Sequence, residues 1–454
     1  MPTALSTDLY ELTMAAGYYA AGMNDVATFE LYVRDLPPHR SFLVAAGLEQ
    51  ALEHLERLRF TNEEIAYLRQ TPNLNGVPKA FFDECLKHFR FTGDVWGIEE
   101  GTPVFPYEPL LRVRAPIIEA QLVETALLAT ITFETSVASK AARVVEAAAG
   151  RPVIEFGSRR AHGVGAALHA ARAAYLGGCE GTSNVEAGFR FGIPVSGTMA
   201  HSWVMAFGDE LEAFRQYASL YGERAVLLLD TYDVIEAAKR VVSSGLRPSA
   251  VRLDSGDIVE LSQRVRVILD EGGLKDTGIF VSGDLDEYKI ADLVTRGAMV
   301  NGFGVGTALA TSNDAPALGG IYKLVEIRRG GSIVPTMKLS PGKLSYPGCK
   351  QAWRMYEKET AAYDVLSVCD ENGPPGGVAL LKRAMSGGRR SEPSLPLADL
   401  RARCRRLLAE LPASLRRIEG ASAYRVAISD RLGQVTRKAA GETPAPLRSI
   451  GAGD

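Results

Sequence analysis

Short apolar runs alternate with helical segments through the middle of the chain. From residue 151 onward each apolar run ends in Gly, Ser, Thr or Asp, and a helical segment follows it. Continuous apolar runs are typical of strands buried on both faces of a parallel sheet, because crossover helices cover both faces. The pattern predicts an α/β fold with strands in the runs "RPVIEFGSRRAH", "GIPVSGTMAHS", "RAVLLLDTYD", "SAVRLDSGD", "GIFVSGDLD" and "AMVNGFGVGT", and a further run, "GGIYKLVEI", at Gly319.

Two arrangements of such a sheet fit this pattern, an open doubly wound sheet and a closed barrel. Polar residues follow nearly every predicted strand. This distribution favours a barrel, in which all the loops after the strands line one catalytic face. An open sheet would place most of the chemistry after two neighbouring strands.

The two ends of the chain have a mixed pattern. "DLYELTMAAGYYAAG" has helical spacing, and "VATFELYVRDLP" alternates like a strand. A long helix is predicted from about Ile117, with Pro116 near its beginning. After about residue 328 the pattern weakens to short strands, turns and a Gly/Pro/Arg-rich loop.

Composition limits the classes of partner. The chain of 454 residues has a formal charge of −3 and is 46% hydrophobic, so a large core is expected without overall attraction to nucleic acid or acidic membranes. The segment 377–454 is nevertheless basic, with 15 Lys/Arg against 7 Asp/Glu. We interpret its helix "LADLRARCRRLLAEL" as an ordinary surface helix in preference to a nucleic-acid patch.

The five cysteines are scattered, without a Cys-x-x-Cys pair. This spacing predicts neither a zinc site nor a disulfide framework, and it indicates a reducing compartment. The N-terminus has no basic region before an apolar stretch, and no apolar run reaches the length of a transmembrane helix. The expected location is the cytoplasm.

Glycines after the last two predicted strands indicate an anion site. "NGFGVGTALAT" places Gly304 and Gly306 before Thr307 at the start of a helical segment, which exposes backbone N–H groups and adds a hydroxyl donor. "FVSGDLDEY" places Gly283 after the preceding strand. Two adjacent strand ends of this kind suit one phosphate group. Two tight strand-to-helix turns are the alternative interpretation.

Charged side chains follow the strand before these. In "AVRLDSGDI", Asp254 and Asp257 offer two carboxylates around a Ser-Gly turn, and such a pair is suited to hold Mg²⁺ directly or through water. Arg252 is suited to bind a planar carboxylate with two hydrogen bonds. The alternative is a buried Arg–Asp pair that only stabilises the sheet.

Basic groups follow two other strands. "EFGSRRAHG" places Arg159 and Arg160 together, as is typical of a polyanion site, and we expect one of them to reach the ligand. "SGTMAHSWV" places His201 after a Gly-Thr pair, where a neutral imidazole acts as a general base, a metal ligand or a nucleophile. No second histidine has ligand spacing, which argues against a metal site. A core histidine is the other interpretation.

Together these motifs resemble those of the nicotinate phosphoribosyltransferase family. The resemblance implies that nicotinate and phosphoribosyl pyrophosphate are converted to nicotinate mononucleotide and pyrophosphate, with Mg²⁺ and with ATP as a co-substrate. It also implies a homodimer with the active site near the subunit interface. The motifs span about residues 7–354 and follow the family's order: "TDLYELTMAAGYY", "EFGSRRAHG", "GTSNVEAGFRFGIPVSGTMAHSWV", "VRLDSGD", "FVSGDLDE", "GFGVGTALATSNDAPALGGIYKLVEI" and "KLSPGKLSYPGCKQ".

The resemblance also implies the fold. It is an α/β protein with an incomplete parallel α/β barrel, TIM-like and of about seven strands, plus an α/β sandwich domain formed from both chain ends. The expected domains are residues 1–130 for the N-terminal part of the sandwich, 131–328 for the barrel with its catalytic strand ends, and 329–454 for the C-terminal part and a basic helical tail.

Individual positions match residues of that family. The resemblance implies that His201 is transiently phosphorylated, that Tyr10 stacks on the pyridine ring, and that Thr307 binds the ribose 5-phosphate. It places Thr198 and Arg252 beside the substrate carboxylate. The complete expectation is a catalytic role for His201, Asp254 and Arg160, a metal on Asp254 and Asp257, and substrate binding by Tyr10, Thr198, Arg252, Ser183, Arg159, Gly283, Gly304, Gly306 and Thr307.

Two other activities remain as alternatives. Nicotinamide phosphoribosyltransferases are similar but have an Asp where this chain has Ser183. An acid there suits a carboxamide and repels a carboxylate, so Ser183 favours nicotinate. A barrel aldolase or isomerase acting on a sugar phosphate would need a strand-borne Lys or a metal-bound His pair, and these strand ends offer neither.

Overall fold

A computed structural model describes residues 3–339 and 345–441 of the chain. The segments 340–344, within "KLSPGKLSYPGCKQ", and 442–454, at the end of the expected basic tail, lie outside the described residues. The elements of the first part are α1 (Leu9–Ala20), β1 (Val26–Val33), β2 (Leu43–Val44), α2 (Leu48–Arg57), α3 (Asn62–Gln70), β3 (Asp94–Ile98), β4 (Pro103–Val104), β5 (Leu111–Pro116) and α4 (Ile117–Gln121).

Strands and helices alternate in the middle part. Its elements are α5 (Glu124–Ala147), β6 (Val153–Glu155), α6 (Val164–Leu176), β7 (Gly181–Thr182), α7 (Val185–Phe191), α8 (His201–Ala206), α9 (Glu210–Tyr221), β8 (Val226–Leu228), α10 (Val234–Ser243), β9 (Ala250–Leu253), α11 (Ile258–Glu271), β10 (Gly278–Val281), α12 (Glu287–Thr295), β11 (Gly302–Val305) and α13 (Thr307–Ala310).

The last part is rich in strands. Its elements are β12 (Gly320–Arg329), β13 (Ser332–Pro335), β14 (Lys350–Glu357), β15 (Thr360–Val368), β16 (Val378–Ala379), β17 (Leu381–Ser386), β18 (Arg389–Arg390), α14 (Leu397–Ala409), β19 (Val426–Ile428) and α15 (Asp430–Ala440).

The predicted parallel sheet is confirmed. It has six strands in the order β7-β6-β11-β10-β9-β8, and helices connect them. The run "GIPVSGTMAHS" differs from expectation, because it joins the sheet by a single bridge between Thr182 and Val195. The run "GGIYKLVEI" also differs: it forms most of β12, which pairs antiparallel with β1 and leaves the parallel sheet.

Both ends of the chain build a second, antiparallel sheet. Its seven strands have the order β13-β12-β1-β5-β3-β17-β18. A four-stranded sheet, β16-β14-β15-β19, is formed by the last part alone. In the seven-stranded sheet, the early strands β1, β5 and β3 form a central block, and the late strands β12 and β17 flank it on its two sides.

Helix α5 has 24 residues and connects the two main sheets. The sequence predicts one long helix from about Ile117, but α4 ends at Gln121 and α5 begins at Glu124. A carboxylate from α1 explains where the second helix begins: Oε1 of Glu11 accepts a hydrogen bond of 2.9 Å from the backbone N–H of Thr125. Helix N-termini leave such N–H groups without intrahelical partners.

The expectation of no disulfide is wrong for one pair of cysteines. Cys349 and Cys369 are joined in the structure, with their Cα atoms 5.5 Å apart. The pairing follows from the antiparallel register of β14 and β15, in which Lys350 lies opposite Val368. That register places the two cysteines directly opposite each other at the end of the hairpin. Spacing in the sequence does not reveal it.

Two of the arginines of α14 make structural contacts with the rest of the protein. Arg401 donates to the carbonyl oxygen of Cys179 at 2.8 Å, and Arg403 donates to that of Glu100 at 2.9 Å. These bonds attach α14 to the loop before β7 and to the turn before β4. In the described part of the chain, none of the helices has the length and apolar character needed to cross a membrane.

Candidate functional site

Polar side chains from three neighbouring strands meet at the carboxyl end of the parallel sheet. Strands β8, β9 and β10 lie side by side, so the loops after them begin at one edge. These loops contribute Asp230, Asp254 and Ser282, and His201 at the start of α8 reaches the same place. This edge is where ligands bind in open and closed α/β sheets.

His201 is held by a buried carboxylate. Its Nε2 atom lies 3.3 Å from Oδ1 of Asp230, whose side chain is 3% exposed while that of His201 is 39% exposed. The other oxygen, Oδ2, accepts a hydrogen bond of 2.6 Å from Oγ of Ser255. Asp230 is therefore fixed on both sides, and it leaves the outer edge of the imidazole open. Asp230 is not among the residues expected from the sequence, although it ends the apolar run "RAVLLLD" as other site residues end theirs.

Arg252 and Thr198 are in direct contact, as the resemblance implies. Nη1 of Arg252 donates to Oγ1 of Thr198 and, at 3.1 Å, to the carbonyl oxygen of Met199. Nη2 donates to Oδ1 of Asp254 at 3.4 Å. Nε is buried and has no hydrogen-bond partner among the described residues. A buried donor without a partner is costly, so this side of the guanidinium is available to a ligand acceptor.

Two carboxylates in this group suit a hard cation. One ligand atom from each of His201, Asp230 and Asp254 lies within 4.8 Å of the other two. Carboxylate oxygens suit Mg²⁺, whereas imidazole suits softer metals. Asp230 and Asp254 are therefore the pair that fits Mg²⁺.

Asp257 lies outside this group. Its Oδ1 accepts hydrogen bonds from the backbone N–H groups of Val259 at 3.1 Å and Glu260 at 3.2 Å, so it caps α11. The sequence carries the signal of this role, since an Asp followed three residues later by Glu is a helix N-terminal pattern. The structure thus gives this carboxylate, expected as a metal ligand, a helix-capping contact.

At positions 283 and 304, neighbouring atoms leave no room for a side chain larger than that of glycine. A β-carbon on Gly283, which has a φ of +94°, would overlap the carbonyl oxygen of Asp254. A β-carbon on Gly304 would lie 2.6 Å from the ring of Phe156. Each glycine permits close contact between adjacent strand ends, whatever it also contributes to a ligand.

The loop after β11 lies beside the loop after β6. A β-carbon on Gly157 would lie 2.8 Å from the carbonyl oxygen of Gly306, so the two backbones approach closely. Thr307 begins α13 directly after Gly306, and both residues are half-buried. Arg159 and Arg160 lie in a short 3₁₀ turn after β6 with exposed side chains. The structure thus places the two arginines on the loop next to Gly306 and Thr307.

Ser183 follows β7, the next strand of the sheet. Its backbone N–H donates to the carbonyl oxygen of Glu155 at 2.9 Å. Glu155 itself is buried, and burial raises the pKa of its carboxyl group, against hydrogen bonds from Thr182 and the N–H of Gly157 that lower it. Ser183 therefore lies at the same edge of the sheet as the other strand-end residues.

Tyr10 is not brought to this group of residues within one chain. It lies on α1 and is 45% exposed, and its hydroxyl is hydrogen-bonded to Glu124 at the start of α5. Partial burial, together with the charge of Glu124, raises the pKa of Tyr10 above its ordinary value. An exposed aromatic ring on a helix surface is free to meet another molecule.

Comparison with known proteins gives a consistent result across the chain. Family models match residues 5–132 (nicotinate phosphoribosyltransferase N-terminal domain), 152–338 (nicotinate phosphoribosyltransferase family) and 377–436 (nicotinate phosphoribosyltransferase C-terminal domain). Nicotinate phosphoribosyltransferase pncB2 of Mycobacterium tuberculosis is 47% identical over 447 residues, covering 96% of this chain and 93% of the relative. Nicotinate phosphoribosyltransferase of Bacillus subtilis is 43% identical over 380 residues, covering 81% and 76%.

A solved structure agrees with the sequence comparisons. The crystal structure of human nicotinic acid phosphoribosyltransferase superimposes with a TM-score of 0.82 at 30% identity. The match covers 95% of this chain and 99% of that one.

Proposed function

The chain belongs to the nicotinate phosphoribosyltransferase family and acts as an enzyme of that type in NAD salvage, and we propose that it couples the transfer to ATP hydrolysis through His201. The substrates proposed are nicotinate and phosphoribosyl pyrophosphate, and the products nicotinate mononucleotide and pyrophosphate. The observation that supports the coupling is the contact between Nε2 of His201 and buried Asp230.

That contact supports a nucleophilic role for the imidazole. With the ring proton on Nε2 and directed at Asp230, the lone pair is on Nδ1 at the open edge of the ring. Nδ1 then attacks the γ-phosphorus of ATP, ADP leaves, and a phosphohistidine forms. Water later cleaves the N–P bond and releases phosphate. The carboxylate of Asp230 stabilises the imidazole while it carries the added group.

Arg252 is proposed to bind the nicotinate carboxylate. Within the described part of the chain its Nε has no hydrogen-bond partner, while Nη1 and Nη2 donate to Thr198, Met199 and Asp254. A fixed guanidinium with an unpaired donor favours a planar anion. This observation favours nicotinate over the neutral carboxamide, as does the absence of a side-chain carboxylate at Ser183.

The transfer step needs stabilisation of charge on the leaving pyrophosphate. Asp230 and Asp254 would hold Mg²⁺, which supplies positive charge there when it is bound. We propose this pair in place of Asp254 with Asp257, because ligand atoms of Asp230 and Asp254 lie within 4.8 Å of each other, whereas Asp257 lies outside that group and caps α11. Arg159 or Arg160 provides further positive charge from the adjacent loop, where Gly306 and Thr307 are proposed to bind the 5-phosphate.

A homodimer is proposed to complete the site. Tyr10 is exposed and lies away from His201 within one chain, so a second copy would supply its ring to the pyridine. The strand order also supports an incomplete barrel. The segment at Val195 lies beside β7 and acts as a seventh strand, so the barrel is open between this segment and β8. The antiparallel sheet from both chain ends supports the sandwich domain. The cytoplasm remains the proposed location.

One assay tests the function. Purified protein is incubated with labelled nicotinate, phosphoribosyl pyrophosphate and Mg²⁺, with and without ATP, and the mononucleotide is separated. Formation of the mononucleotide with stimulation by ATP is expected. Transfer with no response to ATP would contradict the coupling, and no transfer in either condition would contradict the activity.

A further inference from the structure

A cavity of about 580 Å³ lies between α2, α5 and α6. It shares no lining residue with the strand-end site. One side of it is apolar, formed by Leu58, Ala129, Phe133, Gly165 and Ala166. This volume is within the ordinary range of small-molecule sites, which are mostly apolar with a few fixed polar groups.

Three buried polar atoms around this cavity have no hydrogen-bond partner among the described residues. They are Oε1 of Glu134, Nδ1 of His169 and Oε1 of Gln50. Glu134 is 1% exposed. Its Oε1 lies 3.2 Å from Nδ1 of His169, close enough for charge attraction but outside hydrogen-bond geometry. Buried polar groups in proteins are nearly always hydrogen-bonded, so Oε1 of Gln50 and the poorly aligned contact between Glu134 and His169 leave hydrogen-bonding positions open to a ligand.

The charge around Glu134 selects the type of ligand. Arg172 is buried between two carboxylates, at 2.6 Å from Glu100 and 3.0 Å from Glu134. Two carboxylates thus share one guanidinium, which leaves this end of the cavity rich in acceptors. A carboxylate can only accept hydrogen bonds, so the ligand must donate to Glu134. At this end of the cavity an anionic group would be repelled by Glu134. The two arginines of the lining, Arg57 and Arg59, contact Glu53 and the carbonyl oxygen of Leu58.

We propose that this cavity is a second ligand site, for a flat aromatic molecule that carries a neutral or cationic N–H donor group such as a carboxamide or an amidine. The donor group meets Oε1 of Glu134 and Oε1 of Gln50, and the ring lies against Phe133 and Ala166. Neither nicotinate nor phosphoribosyl pyrophosphate fits this description, because both are anions. The site therefore differs in chemistry from the proposed substrate site and does not depend on it.

Benzamidine is the probe, and benzoate is its matched anion of the same shape. Calorimetric titration of the purified full-length protein, without substrates, is expected to show saturable binding of benzamidine and none of benzoate. Nicotinate and phosphoribosyl pyrophosphate should not displace the probe. Equal binding of benzoate, or displacement by nicotinate, would overturn the proposal.

Gly165 offers a variant that fills the cavity without strain. It has ordinary helical geometry, and a β-carbon there would have no atom within 4 Å. Gly165→Leu should weaken benzamidine binding at least about tenfold, since the side chain would occupy the ligand's space. Gly17→Leu is the matched control, because Gly17 is also an exposed helical glycine with no atom within 4 Å of a β-carbon. Its binding should equal that of the wild type.

Unchanged binding by Gly165→Leu would overturn the proposal, as would a lack of saturable benzamidine binding below about 10 mM. Circular dichroism of both leucine variants establishes that they are folded. Catalytic turnover is not used as a readout, so failure of this experiment is distinguishable from failure of the proposed function.

Discussion

The carbonyl oxygen of Asp254 occupies the space that a β-carbon on Gly283 would need. Because Asp254 contacts both Ser282 and Arg252, this close approach fixes three strand-end side chains at once. Gly283→Ala should therefore disturb the site as well as the local backbone.

Gly283→Ala should lower stability and kcat/KM together. A positive φ costs a non-glycine residue roughly 1–2 kcal/mol, and the overlap with Asp254 should add about 1–3 kcal/mol. Gly297→Ala is the control, since Gly297 has a φ of +76° and open space around it. Urea unfolding should show the larger loss for Gly283→Ala, with lost activity in that variant alone. An equal loss of stability in the two variants would mean that the overlap with Asp254 adds nothing to the cost of the positive φ.

His201→Asn should abolish the stimulation by ATP and the associated ATP hydrolysis, while a slow transfer without ATP remains. Asp230→Asn should slow phosphorylation, because the imidazole loses its orienting carboxylate. An acid-labile, base-stable phosphate from labelled ATP should be trapped on the wild type. The control is His88→Asn, which replaces an exposed histidine in another region and should keep the phosphate. Full coupling in His201→Asn would make His201 a structural residue.

Arg252→Ala should raise the KM for nicotinate far more than that for phosphoribosyl pyrophosphate. Loss of a charge-assisted contact to a carboxylate should cost about 2–4 kcal/mol of binding. Initial-rate kinetics with each substrate varied in turn will measure the change in each of the two KM values. Equal effects on both substrates would instead indicate that Arg252 only holds Thr198 and Asp254 in place.

Thr307→Val should raise the KM for phosphoribosyl pyrophosphate, because it removes a hydroxyl donor while keeping the shape of the side chain. A hydrogen bond to a charged group contributes about 1.5–3 kcal/mol. Thr295→Val, at an exposed position of α12, is the control. A normal KM in Thr307→Val would exclude the hydroxyl from the phosphate site.

The carboxyl group of Asp314 should make stability depend on acid pH. Burial alone would raise its pKa, but hydrogen bonds and charges from Arg40 and Lys140 outweigh burial and lower the pKa to about 2. A group whose folded pKa is depressed stabilises the protein above its unfolded pKa, and this contribution is lost as the pH falls through the folded value. The free energy of unfolding should therefore fall between about pH 4 and pH 2. Asp314→Asn should make the free energy of unfolding depend less steeply on pH in this range. An unchanged dependence would contradict the lowered pKa of Asp314.

The parallel sheet was predictable because its strands are continuous apolar runs that end in polar residues. The same pattern indicated which residues would meet at this edge of the sheet, since Arg252 lies near the end of one such run and Asp254 and Gly283 follow runs. Asp230 follows one too, but its role depends on the distance to His201, which the sequence does not contain. Strand β7 was missed because a strand of two residues has no periodicity to recognise.

Two other features depend on contacts between distant segments. Cys349 and Cys369 pair only because β14 and β15 adopt a particular register. The break before α5 depends on Glu11, which is far away in the sequence but caps Thr125 in space. Local patterns cannot predict such contacts, because they arise from packing between elements.

The single bridge at Val195 has a consequence for the segment that carries His201. Among the described residues, the backbone of this segment pairs with the sheet at Thr182 alone, through Pro194 and Ser196 on either side of Val195, whereas β8 to β11 are each paired along several residues. Shifting the backbone around His201 would therefore break few hydrogen bonds of the sheet itself, and the main contact it would disturb is that of Arg252 with Thr198 and Met199. Under the proposed coupling, the imidazole would take up and release a phosphoryl group on a segment with few sheet bonds, while the neighbouring strands would hold the substrates in place.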